Sequence, residues 1–270
     1  MTKSPYIQTR VQEHLDDALN NFYPDKDWFC ICLQGSQNYG LADEESDIDT
    51  KMLLLPSLRD LVLNNKPISH TCVRDNEEHI DCKDVRDYFK IFRKSNINFV
   101  EILFTDYWIV NEKYSDLWLE LLSKREELAR INPYAAIGCM SGMAAEKRHA
   151  LCHEYPSRMH MIEKFGYDPK QLSHLVRIRY FLDNYIAGRP YKECIDTEHK
   201  DYLLRLKRFG DGLSKEEAIE LADKTYDHIR EKVTGYRNYW KNEEDPELVD
   251  FMNDILYRLI TRSLKNQLGD

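Results

Sequence analysis

Residues 33–56 read LQGSQNYGLADEESDIDTKMLLLP, and two apolar runs frame this stretch. The first run, residues 28–33, predicts a buried strand that ends at a Gly-Ser turn. The second run, residues 52–55, follows Asp47 and Asp49. Side chains two positions apart on a strand point to the same face. The carboxylates of Asp47 and Asp49 are therefore expected to converge on one point in space.

Two neighbouring carboxylates repel each other, and a fold accommodates them most easily when cations lie between them. Oxygen ligands of this kind select hard ions such as Mg²⁺ or Mn²⁺. Gly35 allows the backbone to approach a ligand closely, and Ser36 can open a helical turn whose free amides bind phosphate. A phosphate-binding turn beside a metal-binding pair predicts metal-assisted phosphoryl or nucleotidyl transfer.

The spacing of these residues resembles that of a known superfamily. Gly-Ser, a gap of ten residues and then Asp-Ile-Asp is similar to the signature of the DNA polymerase beta superfamily of nucleotidyltransferases. Tyr39, Gly40, Leu41 and Ser46 extend the resemblance to the predicted nucleotidyltransferases associated with RNA repair. The resemblance implies an α+β fold with a polymerase-beta-like mixed sheet.

The same resemblance implies two domains. A catalytic domain is expected over residues 1–110, and a mostly helical domain over residues 111–270 is expected to complete the nucleotide cleft. The boundary follows the change in composition beyond Tyr107, where strand-like runs give way to long helical patterns.

A third carboxylate is expected on the short strand within residues 77–84. In the superfamily this group lies on a strand between apolar residues, and Asp81 fits that pattern as metal ligand and as base for the attacking hydroxyl. Glu78 and Asp84 are the alternatives. Asp84 is placed to cap the helix that begins at Val85, and Glu78 is expected to be exposed to solvent.

A further segment, residues 96–104, is similar to a family segment of asparagine, proline and then Glu-x-Leu. Ile97 stands where the family tends to have proline. Glu101 lies in an apolar helical turn, where both a salt-bridged structural role and an active-site role remain open.

The second half contains one helix with cationic and hydrogen-bonding groups at regular spacing. Asp168 is a predicted N-cap, and Lys170, His174 and Arg177 follow at i, i+4 and i+7 on one face. A solvated basic face is the alternative to a binding site. The RNA-repair-associated family carries a similar Lys-x-x-x-His-x-x-Arg pattern, which implies contacts to a triphosphate; His174 would bind phosphate or ribose, or would be structural. Weaker phosphate candidates end the preceding helix: Lys147 and Arg148.

Other elements follow from apolar periodicity and capping signals. Residues 67–73 are predicted to form an extended segment. Ser214 and Asp245 are predicted N-caps of two helices near the end of the sequence. The expected helices cover residues 7–22, 58–63, 85–94 and 134–153 and begin after Ser214 and Asp245.

Composition limits the classes of function. The chain has 270 residues, a net charge of -9 and seven scattered cysteines without a Cys-x-x-Cys pair. The excess of acidic residues argues against a protein that coats nucleic acid non-specifically. It is compatible with a local basic groove. The cysteines indicate reduced thiols. Neither an apolar run of about 20 residues nor the apolar segment of a signal peptide occurs, so a cytoplasmic protein without a membrane partner is expected.

The resemblance implies a mechanism. Asp47, Asp49 and Asp81 would hold two Mg²⁺ or Mn²⁺ ions, and an acceptor hydroxyl would attack the α-phosphate of an NTP and expel pyrophosphate. An RNA or tRNA 3′ end is the favoured acceptor; a protein or small-molecule hydroxyl, a non-catalytic nucleotide or RNA binder, and a phosphohydrolase are the alternatives. The expected nucleotide and phosphate contacts are Gly35, Ser36, Tyr39, Lys170, His174 and Arg177.

Overall fold

A computed structural model describes residues 4–42 and 46–269. The protein has an α+β architecture that combines one five-stranded mixed sheet with many helices. Within those two ranges, helices are too short or too polar to cross a membrane. The strands are β1 Trp28–Gln34, β2 Asp49–Leu54, β3 Ser69–Val73, β4 His79–Asp84 and β5 Trp108–Val110.

The strand order across the sheet is β3-β4-β2-β1-β5. Strands β2 and β4 are parallel, whereas the other neighbours are antiparallel. Gln34 at the end of β1 pairs with Asp49 at the start of β2. In the parallel ladder, Thr50 pairs with Ile80 and Lys51 pairs with Asp81. The register therefore brings the end of β1 and the starts of β2 and β4 to one edge region of the sheet.

Helices occupy most of the remaining described chain, and several begin at the residues that capping rules indicate. Their bounds are α1 Pro5–Asp17, α2 Leu58–Val62, α3 Val85–Phe92, α4 Ile97–Val100, α5 Ser115–Ser123, α6 Arg125–Leu128, α7 Pro133–Ala150, α8 Met159–Phe165, α9 Pro169–Ile186, α10 Tyr191–Ile195, α11 Lys200–Phe209, α12 Lys215–Arg237 and α13 Pro246–Leu268.

One apolar core lies between α1 and a face of the sheet. Val11 and Leu15 of α1 pack there with alternate residues of the strands, because alternation sends every second side chain of a strand to one face. The strand residues in this core include Ile31, Leu33, Met52, Leu54, Ile80 and Cys82. The side chains on the other face of β2 and β4 are thereby left to form a different, more polar surface.

The chain divides into two compact units. The first contains the described residues of 1–38, 42–132 and 244–270, which include the whole sheet; the second contains residues 39–41 and 133–243. In the first unit α13 packs on α3 and α5, and in the second α9 packs on α7, α11 and α12. The boundary expected at residue 110 lies within the sheet unit. One reason is that Arg258 of α13 binds the carboxylate of Glu120 on α5 through two hydrogen bonds, at 2.7 and 2.8 Å.

Most local predictions agree with the described structure. The first helix begins at Pro5 and continues from Ala18 as a π-helix that ends at Phe22, before Pro24. Ser214 forms the expected capping box with Glu217. Strand β5 was not expected, because three residues are too few to display a period-two pattern.

Candidate functional site

The Gly-Ser turn follows β1 directly and takes the form of a short 3₁₀ turn, Gly35–Gln37. Gly35 has φ of +82°, a conformation that side chains with a Cβ rarely adopt. A Cβ on Gly35 would lie 4.0 Å from Oδ2 of Asp49, so the turn and this carboxylate are immediate neighbours. The N–H of Gly35 donates a hydrogen bond to Oε1 of the buried Glu101 at 3.2 Å. Glu101 therefore orients the turn.

The acid pair lies where β2 begins. Asp47 is exposed just before the strand, and Asp49 is its half-buried first residue. Ile48, between the two, is buried in the apolar core. Oδ1 of Asp49 accepts from the backbone N–H of His79 at 3.1 Å and lies 3.3 Å from His79 Nδ1. Asp49 is thereby fixed against the start of β4, whereas Asp47 faces solvent.

Asp81 has two cationic neighbours. Its Oδ2 pairs with Nζ of Lys51, which is 2% exposed, and its Oδ1 lies 3.1 Å from Nζ of Lys83. The Lys51 ammonium also lies 4.3 Å from the centre of the Phe99 ring. Asp81 is therefore on the same face of the sheet as Asp49, one step further along the strands, and both of its oxygens are ion-paired.

The described residues do not contain a group of three or more His, Cys, Asp or Glu side chains arranged to hold a metal ion. Asp47 and Asp49 offer oxygen ligands of the type that Mg²⁺ and Mn²⁺ prefer. The pair fits a divalent cation on the chemistry of its donors. Asp81 fits as a further ligand only if Lys51 and Lys83 release its oxygens.

The two alternative acids have other partners. The expectation that Glu78 is exposed is wrong: it is 7% exposed, and the side chains of Arg10 and His14 bind its carboxylate. Asp84 caps α3 as expected, since Oδ1 accepts from the N–H of Arg86 at 2.8 Å. Both carboxylates are occupied in structural roles.

The cationic helix α9 begins as expected. Asp168 accepts from the N–H of Lys170 at 2.9 Å, and the guanidinium of Arg158 binds both carboxylate oxygens of Asp168. Lys170 is exposed and His174 is half-buried. Burial lowers the pKa of His174 well below its usual value, and the positive charges of Arg177 and Lys170 lower it further. His174 is therefore neutral at pH 7 and can donate one hydrogen bond.

Arg177 differs from a residue of a solvated basic face. It is 4% exposed, and its guanidinium lies 3.9 Å from the centre of the Tyr39 ring. Its buried Nε has no hydrogen-bond partner within residues 4–42 and 46–269. A buried guanidinium with a spare donor is suited to an anionic ligand.

The tripeptide Tyr39–Leu41 belongs to the helical unit, although it follows the Gly-Ser turn by only two residues. Tyr39 and Leu41 are buried, and Gly40 has φ of +65°. Nζ of Lys207 on α11 donates to the carbonyl oxygen of Leu41 at 3.0 Å. Lys207 and Lys147 also contribute positive charge at His174.

Thus in the sheet unit Gly35 and Asp49 are neighbours and Asp81 lies on the same sheet face, with Ser36 and Asp47 adjacent to them along the chain. In the helical unit Arg177 lies against Tyr39 and near His174. Sequence reasoning did not identify Lys51. An available signal was its position two residues after Asp49, on the same strand face and within an otherwise apolar run. The chain matches none of the protein-family models and none of the curated proteins with which it was compared.

Proposed function

We propose that this protein is a metal-dependent nucleotidyltransferase that transfers NMP from an NTP to an acceptor hydroxyl, with an RNA 3′ end as the favoured acceptor. The observation that carries the proposal is the closeness of Gly35 to the Asp49 carboxylate: Gln34 pairs with Asp49, and a Cβ on Gly35 would lie 4.0 Å from Oδ2 of Asp49. A turn able to receive phosphate and an acidic pair able to receive a divalent cation lie side by side on neighbouring strands, β1 and β2. Their spacing along the chain resembles the signature of the DNA polymerase beta superfamily.

The fold supports the proposal at a coarser level. A mixed sheet in which the acid-bearing strand β2 lies between the antiparallel β1 and the parallel β4 is compatible with a polymerase-beta-like catalytic domain. The register of β2 and β4, in which Lys51 pairs with Asp81, puts the side chains of Asp49 and Asp81 on one face of the sheet. This compatibility supports, as part of the proposal, a nucleotidyltransferase fold for the sheet unit.

The residues of the sheet unit have distinct roles in this proposal. Asp47 and Asp49 hold divalent Mg²⁺ or Mn²⁺, and Ser36 binds phosphate oxygens through its amide and hydroxyl. Such an ion, when bound, neutralises phosphate charge and favours the ionised form of an acceptor hydroxyl. Asp81 is the third acid, and it becomes available as a ligand or as the base for the hydroxyl when its lysine partners move away. Glu101 holds the Gly35 turn in place.

The helical unit supplies the cationic groups. Arg177 and Lys170 bind phosphate oxygens and neutralise the charge of the departing pyrophosphate. His174 donates a hydrogen bond to phosphate or ribose in its neutral form. The support for these roles is the buried Nε of Arg177, which has no hydrogen-bond partner among the described residues, and the positive charge that lysines contribute at His174.

One observation favours a second candidate. Because both oxygens of Asp81 are ion-paired, a nucleotide or RNA binder that has lost turnover is the alternative function. Such a protein would bind NTP with Mg²⁺ but would transfer no nucleotide.

The test is incubation of the protein with each α-³²P-labelled NTP, Mg²⁺ or Mn²⁺, and total RNA or tRNA. We expect label on RNA, a loss of at least about 100-fold in Asp47→Asn and Asp49→Asn, and no loss in Asp250→Asn, an exposed acid of α13. Label on protein would identify a protein-modifying enzyme. Nucleotide release without an acceptor would identify a hydrolase. Binding without transfer would identify the non-catalytic candidate.

The role of the helical unit has a separate measurement. Binding of inorganic tripolyphosphate by calorimetry does not require turnover, and we expect Arg177→Gln to weaken it about tenfold. Arg230→Gln, at an α12 residue whose guanidinium lies 5.7 Å from the Tyr226 ring, is the control. Equal affinity in the two variants would remove Arg177 from the proposed site.

A further inference from the structure

A buried hydrogen-bonded network lies behind the strand that carries Asp49. His14 of α1 has no exposed surface, and its ring contacts two strands. Nδ1 is 2.9 Å from the hydroxyl of Thr50 on β2, and Nε2 is 2.9 Å from Oε2 of Glu78, the residue before β4. The imidazole therefore bridges β2 and the start of β4.

The chemistry of the partners determines which ring nitrogen carries the proton. Burial alone would raise the pKa of Glu78. Hydrogen bonds to its carboxylate, of which the one from His14 has the largest effect, lower the pKa to about 2. Arg10 and Arg74 also bind this carboxylate. An ionised carboxylate can only accept, so Nε2 of His14 donates to Glu78. Nδ1 then accepts from the Thr50 hydroxyl, so both ring nitrogens of His14 have a partner.

Two residues of the network are direct chain neighbours of Asp49 and of its hydrogen-bond donor His79. Thr50 follows Asp49, and Glu78 precedes His79, whose N–H donates to Asp49 at 3.1 Å. Because adjacent strand residues face opposite sides, the side chains of Thr50 and Asp49 leave β2 in opposite directions. His14 therefore links Thr50 and Glu78 on the core side of the sheet. Their chain neighbours, Asp49 and His79, contact each other on the opposite side.

A buried polar network is not required for stability alone. Desolvation of His14, Thr50 and Glu78 costs free energy that well-packed apolar side chains of similar volume would avoid. What the network provides instead is directional geometry, because each hydrogen bond weakens steeply as its angle or distance departs from the optimum. Geometry of this kind is needed where a carboxylate must be held in a defined position.

We propose that His14 and Thr50 are positioning residues for Asp49: their hydrogen bonds hold β2 against the start of β4 and thereby set the place of the Asp49 carboxylate. The functional part of this inference rests on the proposed role of Asp49 as a metal ligand. Partners of a ligand that do not touch the metal typically change metal affinity by about 10- to 100-fold when they are removed.

The test uses two substitutions at one position. Thr50→Val removes the hydroxyl and keeps the shape, whereas Thr50→Ser keeps the hydroxyl. The first measurement is hydrogen exchange of the His79 amide, the donor to Asp49, relative to the Ile31 amide in the centre of β1. The second is Mn²⁺ affinity by electron paramagnetic resonance. We expect Thr50→Val to speed His79 exchange about tenfold and to weaken Mn²⁺ binding about 10- to 100-fold, with Thr50→Ser close to wild type.

A matched control is available in the helical unit. Thr225 is 1% exposed, and its hydroxyl has no partner in the described part of the chain, so Thr225→Val makes the same chemical change without breaking a hydrogen bond. It should alter neither measurement. If Thr50→Val unfolds the protein, His14→Leu tests the same network.

The outcomes separate this inference from the proposed function. Unchanged His79 exchange and unchanged Mn²⁺ affinity in a folded Thr50→Val protein would overturn the positioning role. Faster His79 exchange in a protein whose wild type binds no Mn²⁺ would support the positioning of Asp49 and count against its proposed role as a metal ligand.

Discussion

Glu101 Oε1 accepts a hydrogen bond from the backbone N–H of Gly35 at 3.2 Å, although 66 positions separate the two residues. The two residues belong to separate sequence motifs, the Gly-Ser turn and residues 96–104. Their contact places a buried carboxylate that is distant in the sequence beside the turn that follows β1.

Replacement of Glu101 tests that contact. We expect Glu101→Ala to lower the free energy of unfolding by about 1–3 kcal/mol, because the N–H of Gly35 loses a charged acceptor. Glu101→Gln keeps an acceptor oxygen and should lose less. Urea denaturation of both variants gives the comparison, and equal losses would show that the acceptor at Gly35 is not what matters.

Gly35 and Gly142 should respond in opposite ways to alanine. At Gly35 the strain of φ near +82° makes Gly35→Ala destabilising by about 1–2 kcal/mol. Gly142 lies in α7 with open space around its Cβ position, so Gly142→Ala should stabilise by about 0.5–1 kcal/mol. Thermal unfolding followed by circular dichroism measures both, and the same sign at the two positions would refute the assignment of strain to Gly35.

The ionised state of Glu78 predicts an acid-sensitive contribution to stability. The pKa of Glu78 is lowered from 4.5 to about 2. The contribution of its carboxylate to the free energy of unfolding is therefore complete above pH 4.5 and is lost as the pH falls from 4.5 toward 2. Glu78→Gln should therefore cost more free energy of unfolding at pH 6 than at pH 3, by on the order of 2 kcal/mol. Urea titrations at the two pH values test this. A hydrogen bond from Arg262 lowers the pKa of Asp116 to about 2 as well. Because Asp116 is present in both proteins, its effect on stability cancels in the comparison.

Lys51 and Lys83 both pair with Asp81 but differ in burial. Lys51 is 2% exposed and Lys83 has 15% of its side chain exposed. Lys51→Met removes the buried partner and should destabilise by about 3 kcal/mol, whereas Lys83→Met should cost under about 1 kcal/mol. Chemical denaturation measures both changes. The double variant Lys51→Met/Asp81→Asn should recover part of the loss, and failure to recover any would show that Asp81 is not the group that Lys51 stabilises.

Local pattern was sufficient for much of the fold near the site. The apolar runs that frame residues 33–56 form β1 and β2, and the cap at Asp84 begins α3 where expected. These features depend on neighbours within a few residues, because strand alternation and helix capping are short-range effects. The same short-range reasoning wrongly predicted that Glu78 is exposed to solvent. The acids around it in the sequence do not reveal that His14 of α1 binds its carboxylate.

Burial and pairing around the acids required the three-dimensional register. A lysine two residues after an acid on a strand indicates only a shared face, and it is the parallel pairing of Lys51 with Asp81 that joins their charges. Arg177 was expected on a helix face with Lys170, but its burial over the Tyr39 ring depends on the course of residues 39–41. Contacts of this kind form between residues far apart in the chain, which leave no periodic signal in the sequence.

The sequence by itself determined the Gly-Ser turn, the strands on both sides of it, the placing of Asp47 and Asp49 at the start of β2, and the capped helix α9, because each depends on backbone preference and on the alternation of apolar residues. The tertiary structure alone decided that Glu101 binds the Gly35 turn, that His14 bridges β2 and β4, and that Lys51 and Lys83 bind Asp81. Hydrogen bonds and ion pairs act over a few ångströms in space, so their partners are set by strand register and helix packing and not by distance along the chain.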